Sequence, residues 1–143
     1  MREMTRTALV ARLPERLYGL VEDVERYPEF VPGCTGAQVL ERMDHQMVAR
    51  LEVRRGPLRT GFTTRNELDP GRAVHMHLVD GPFRVLEGHW RFTPVASNGC
   101  RIDFSLRFQF SNALKSVLLD PLFEDTASQL VRAFVSRAQS TPP

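Results

Sequence analysis

The chain has 143 residues, 42% hydrophobic and 25% charged, with a net charge of +2. That composition excludes a disordered chain, and the length suits one domain. The small net charge excludes a protein that coats nucleic acid by bulk electrostatics, and no DNA partner is expected.

In chain order, residues 4–11 read as a first strand. Pro14 opens a helix, and Leu17, Leu20, Val21 and Val24 recur on one face with Glu22, Asp23 and Glu25 on the other. Pro28 and Pro32 stop that helix, leaving at most a further short helical turn and a loop. From Gly36 to Phe110 the period changes to two. Met47, Ala49, Leu51 and Val53 alternate with Val48, Arg50, Glu52 and Arg54. Gly56-Pro57 signals a hairpin, after which Phe62, Thr64, Asn66 and Leu68 share a face opposite Arg59, Arg65 and Glu67. Turns at Asp69-Pro70-Gly71, Asp80-Gly81-Pro82 and Ser97-Asn98-Gly99 separate three more strands. The last of them sets Ile102, Phe104, Leu106, Phe108 and Phe110 against Arg101, Asp103, Ser105, Arg107 and Gln109. Ser111 or Asn112 caps a short apolar helix over 113–119. Asp120-Pro121 is expected to restart it as a long amphipathic helix to about residue 138.

Short turns between successive strands imply antiparallel neighbours. Seven strands at ~4.8 Å spacing make a sheet roughly 34 Å wide, whereas a helix is only ~10–12 Å across. A flat sheet would stay wet, so the sheet must curl around the helix. The expected fold is α+β helix-grip: a curved antiparallel sheet of about seven strands wrapped around a long C-terminal helix. It forms a single domain over residues 1–138, with a flexible tail at 139–143. No window is long and apolar enough to cross a membrane, and the N-terminus does not read as a signal peptide. Two cysteines, Cys34 and Cys100, make no disulfide framework. A cytoplasmic protein with reduced thiols is expected.

Curling leaves interior space. Phe62, Met76, Leu78, Leu86, Trp90, Phe104, Phe108, Leu130 and Phe134 face inward and line either a cavity for a long apolar ligand or a packed core. Thr64 and Asn66 share that face. They bind a ligand's polar head or satisfy each other and water, the latter being the commoner arrangement. His75 and His77 alternate on one strand face. A metal there needs a third ligand from His89 or a carboxylate; the pair is read as solvated, with no metal and no cofactor expected. No nucleophile elbow, phosphate loop or dinucleotide fingerprint occurs, and no catalytic residues are assigned.

The cations are uneven: eighteen are Arg and Lys115 is the sole Lys. Arg50, Arg54, Arg59 and Arg65 point outward on the hairpin around Gly56-Pro57, and Arg55 sits at its turn. They either grip phosphate, of RNA or of an anionic membrane, or form a solvated strand face. The apolar segment 113–123 is a lid over the interior or a surface for a bilayer interface.

Four stretches carry a resemblance. They are Tyr27-Pro28-Glu29-Phe30-Val31-Pro32-Gly33-Cys34; Phe62-Thr63-Thr64-Arg65-Asn66; residues 79–92, with Asp80-Gly81-Pro82-Phe83 and Gly88-His89-Trp90-Arg91-Phe92; and Phe108-Gln109-Phe110-Ser111-Asn112. With these the chain resembles the coenzyme Q-binding protein and ribosome association toxin family of the START-like (polyketide cyclase/lipid-transport) superfamily. The resemblance implies a START-like domain that is not an enzyme. It implies a ubiquinone or similar lipid as bound ligand; segment 113–123, if it is the bilayer surface, would put the cytoplasmic protein at the periphery of the inner membrane. The competing implication is a toxin that binds the large (50S) ribosomal subunit and blocks 70S assembly. The family usually carries Trp before the Cys of the first stretch; here Gly33 stands there.

Overall fold

The computed structural model describes residues 1–141. The elements run β1 (Arg2–Val10), α1 (Pro14–Glu22), a 3-10 turn (Val24–Glu29), β2 (Cys34–Met43), β3 (Gln46–Arg55), β4 (Leu58–Asp69), β5 (Ala73–Asp80), β6 (Phe83–Val95), β7 (Gly99–Phe110), α2 (Ala113–Ser128) and α3 (Leu130–Gln139). All seven strands form one antiparallel sheet in the order β1-β7-β6-β5-β4-β3-β2. The α+β helix-grip expectation is what the chain adopts.

Curvature has identifiable sources. Register shifts interrupt β2 between Cys34 and Gly36 and between Val39 and Glu41. Others fall at Thr63/Thr64 and at Phe83/Val85. Each places an extra residue on one strand and bends it. The β3–β4 hairpin turns on two residues, and Gly56 holds φ +57°, a region that favours glycine.

The strands bury one face. On β4 every second residue from Leu58 to Leu68 is buried, with Arg59, Arg65, Glu67 and Asp69 exposed opposite. Onto the buried face pack the helices: α2 against β7, β1 and β4, and α3 against β1 and α1. Trp90, Phe104, Phe108 and Phe134 are the largest fully buried side chains. Phe134 of α3 meets Trp90 edge-on at 5.1 Å, Tyr27 at 5.3 Å and Phe30 at 5.1 Å. It thereby joins the sheet, the 3-10 turn and the C-terminal helix.

One sequence expectation needs correction. The C-terminal helix does not restart at Asp120-Pro121. Helix α2 runs through Pro121, and the break falls at Gln129. Asn112 is the true cap, its Oδ1 accepting from the amides of Leu114 (3.0 Å) and Lys115 (3.1 Å). Asp120 is buried and accepts from Ser116 Oγ at 2.5 Å, one turn back, so it caps nothing. The helix tolerates Pro121 by forgoing one internal hydrogen bond. Gln139 closes α3, and Arg12 donates to the carbonyls of Gln139 (3.4 Å) and Thr141 (3.2 Å). Residues 142–143 lie outside the described residues. No helix among the described residues is long and apolar enough to cross a membrane.

Replacing Phe134 with Ala removes the shared aromatic and leaves a void. We expect a loss of about 3–5 kcal/mol in denaturant unfolding. A change below 1 kcal/mol would show that α3 is not the plug of this core.

Candidate functional site

An apolar cavity of about 100 Å³ lies between the inner sheet face and the α2–α3 break. Of the ten residues expected to contact a ligand, eight line it: Phe62 and Thr64 of β4, Met76 of β5, Leu86 and Trp90 of β6, Phe104 of β7, and Leu130 and Phe134 of α3. Leu78 and Phe108 do not. Leu78 lies past the point where β5 leaves β6, since that pairing ends at His77 opposite Glu87, and it is only partly buried. Phe108 is fully buried but is covered by Phe123 of α2, with ring centroids 4.8 Å apart.

Two walls were missed in the sequence. Tyr27, Val31, Pro32 and Cys34 close one end. The proline-rich loop had no periodicity, so nothing placed it over the sheet; a Tyr27 hydroxyl donating to the Val21 carbonyl anchors it. Phe123, Thr126 and Ala127 form the roof. Their helical spacing was legible, but not which stripe faced the sheet. Gly33 holds φ +79° beside these walls. A Cβ there would come within 3.3 Å of the Arg54 carbonyl and of Thr126 Cγ2, and the positive φ strains any side chain, so glycine suits this position.

Polar chemistry inside is sparse. Thr64 Oγ1 donates to Asn66 Oδ1 at 2.8 Å, and both residues are buried. This is the local pairing expected of two buried polar groups two residues apart on a strand. Burial pushes the Tyr27 hydroxyl and the Cys34 thiol above their ordinary pKa values. Burial also pushes the Cys100 thiol up to about 11. Both cysteines are free, buried and held as thiols.

The arginine hairpin lies on the opposite face of the sheet. Arg54 and Arg59 are directly paired across β3 and β4. Two like charges in that position repel. Arg54, Arg59 and Arg65 are exposed, and their guanidinium groups have no partner among the described residues. Arg50 is engaged by Glu52 at 2.9 Å, and that pair lies flat over Gly61. Arg55 departs from the expected patch: it turns to α2 and pairs with Asp125 at 2.5 Å.

Segment 113–123 divides. Phe123 is buried in the cavity roof, whereas Leu114 (71%), Val117 (74%) and Leu118 (63%) are exposed on α2. His75 and His77 stand on the outer sheet face, remote from the cavity lining.

Residues 10–135 match the family described as polyketide cyclase / dehydrase and lipid transport. The chain is 44% identical over 139 residues to the ribosome association toxin RatA of Escherichia coli (strain K12), covering 97% of this chain and 88% of that one. It is 34% identical over 128 residues to the mitochondrial coenzyme Q-binding protein COQ10 homolog B of Xenopus laevis, covering 87% of this chain and 52% of that one. Among solved structures, the ZhuI aromatase/cyclase from Streptomyces sp. R1128 superposes with a TM-score of 0.86, covering 96% of this chain and 93% of that one. At 19% identity that likeness is one of fold.

Changing Thr64 to Val keeps the shape and removes the donor to Asn66. The orphaned Asn66 oxygen should cost about 1–3 kcal/mol. Chemical denaturation measures this, and a neutral result would mean that Asn66 has another partner inside the cavity.

Proposed function

The chain belongs to the polyketide cyclase/dehydrase and lipid transport family, and from that premise we propose that it docks on the large ribosomal subunit through its arginine hairpin and hinders 70S assembly. The observation that carries this reading is the cross-strand Arg54–Arg59 pair. An arrangement that costs stability in the free protein gains favourable energy when a phosphate lies between the two guanidinium forks. Arg65 extends the patch along β4. Arg50 joins by exchanging Glu52 for phosphate, since an exposed ion pair is worth only about 0–1 kcal/mol. Similarity to a ribosome association toxin across 97% of the chain supports the same reading.

A second reading rests on a different observation, the apolar cavity. Its wall presents no carboxylate, imidazole, ammonium or guanidinium among the described residues. That supports binding of a hydrophobic ligand, such as ubiquinone, rather than catalysis. A void of ~150 Å³ takes up benzene, and ligand pockets usually measure about 300–1,000 Å³. At about 100 Å³ this cavity must expand to admit a quinone. Helix α2 is the element placed to yield. It carries Pro121, an unpartnered Asp120 Oδ1 and an exposed Leu114–Val117–Leu118 face. That face would touch the inner membrane while ligand is exchanged, with the protein otherwise in the cytoplasm.

On overexpression, sucrose gradients should show fewer 70S particles and the protein sedimenting with the large subunit. The double variant Arg54→Glu/Arg59→Glu should lose that association more than tenfold. Unchanged 70S particles with no co-sedimentation would overturn the ribosomal reading.

Trp90, the sole tryptophan, lines the cavity. Short-chain ubiquinone should quench its fluorescence saturably, and organic extraction of the purified protein should release a lipid. Failure of both would overturn the ligand reading.

A further inference from the structure

The outer face of β4, β5 and β6 holds a cluster that neither the cavity nor the arginine hairpin uses. Strand register builds it. Glu67, His75 and His89 stand in one row across the three strands, and His77 stands opposite Glu87 in the next. His75 and His77 are two residues apart on β5 and so share a face. Their rings lie 4.3 Å apart between centroids, and His75 and His89 lie 5.2 Å apart. The sequence left the third ligand open; the register supplies it as Glu67.

The geometry points to a divalent transition-metal site of the zinc class, with His75, His77 and the Glu67 carboxylate as ligands and Glu87 as the outer partner of His75. One ligand atom from each of Glu67, His75 and His77 lies within 4.8 Å of the others. His77 Nε2 is 3.4 Å from Glu67 Oε1, and His75 Nδ1 is 4.0 Å from Glu67 Oε2. Ligand atoms on a tetrahedral zinc with ~2.1 Å bonds sit about 3.4 Å apart, so small side-chain rotations close the set.

Two observations set this cluster apart from a solvated histidine pair. First, His77 Nε2 is shielded from solvent and has no hydrogen-bond partner. In the tautomer that leaves Nε2 unprotonated, its lone pair is free for a metal. Second, His75 Nε2 lies 3.0 Å from Glu87 Oε1. When Nε2 carries the proton and donates it, the Nδ1 lone pair is fixed toward Glu67 and His77. A carboxylate holding a histidine in this way orients the ligand and raises its basicity. Arg65, opposite His77, adds positive charge, which Glu67 and Glu87 offset. Imidazole with carboxylate suits zinc, nickel, cobalt or copper rather than calcium or magnesium. Three protein ligands leave a fourth position open to solvent.

The test uses untagged full-length protein stripped with chelator, titrated calorimetrically with zinc chloride. One ion per chain should bind. Glu67→Gln and His77→Gln should each weaken binding at least tenfold, and Glu87→Gln roughly 10–100-fold. His45→Gln, on a different turn, should leave it unchanged. Cobalt substitution should give the visible absorption of a tetrahedral site, and Glu67→Gln should lose it. All four positions are at least partly exposed, and far-UV circular dichroism checks that each variant is folded. Absence of saturable binding, or equal binding by folded Glu67→Gln and His77→Gln variants, overturns the proposal.

Discussion

A sheet of seven strands presents more apolar face than its helices can cover while it lies flat. That mismatch governs the molecule. The bulged strands β2, β5 and β6 bend the sheet, and α2 and α3 fill the concave side. Filling is incomplete because the helical layer breaks at Gln129. The residual void sits beneath that break, bordered by Thr126, Ala127 and Leu130. Aromatic side chains share the task of closing it: Phe123 covers Phe108 and Phe134 meets Trp90. The cavity is therefore a by-product of wrapping a broken helix in a wide sheet.

Charge is organised by the same sheet. With a net charge of +2 the molecule has little long-range field. Strand alternation nonetheless sorts the outer face into patches. The β3–β4 hairpin collects unpartnered arginine at its tip, and the β4–β6 surface collects histidine and glutamate a few residues away. Arg65 and Glu67 are neighbours in parity on one strand but serve different patches. A nearly neutral protein can thus present two chemically distinct surfaces, each local enough to need docking rather than diffuse attraction.

Much of this was legible in the residues. Alternation from Met47 to Phe110 defined the strands and their buried face because one-sided burial writes a period of two. Gly56-Pro57 and Asp80-Gly81-Pro82 marked turns because backbone geometry there restricts residue type. Six of the expected cavity contacts followed from strand parity and two, Leu130 and Phe134, from helical spacing. What failed had a physical cause. Pro121 read as a helix boundary, yet tertiary packing of Phe123 and Thr126 held the helix together across it. Arg55 counted with the hairpin arginines, but it ends β3 with the parity of Val53, on the helix-facing side, where Asp125 claimed it. The proline-rich loop that walls the cavity carries no period, so its place over the sheet depends on contacts distant in sequence. The histidine cluster needed register: parity placed His75 and His77 together, and only the β4–β5 pairing brought Glu67 to them.

The sheet order also fixes a sequence of events in biosynthesis. Strands β2 to β7 form an uninterrupted meander and can pair as they are made. The first strand has no such option. Its partner is β7, with Arg2 opposite Phe108 and Val10 opposite Cys100. The nine-residue first strand must therefore wait, unpaired, until β7 has emerged. Its apolar positions are few, with Met4 and Val10 buried while Glu3, Thr5, Arg6 and Thr7 are exposed. A waiting strand so rich in polar and charged residues resists pairing with other nascent chains. The sheet is thus completed by pairing its first strand with its last.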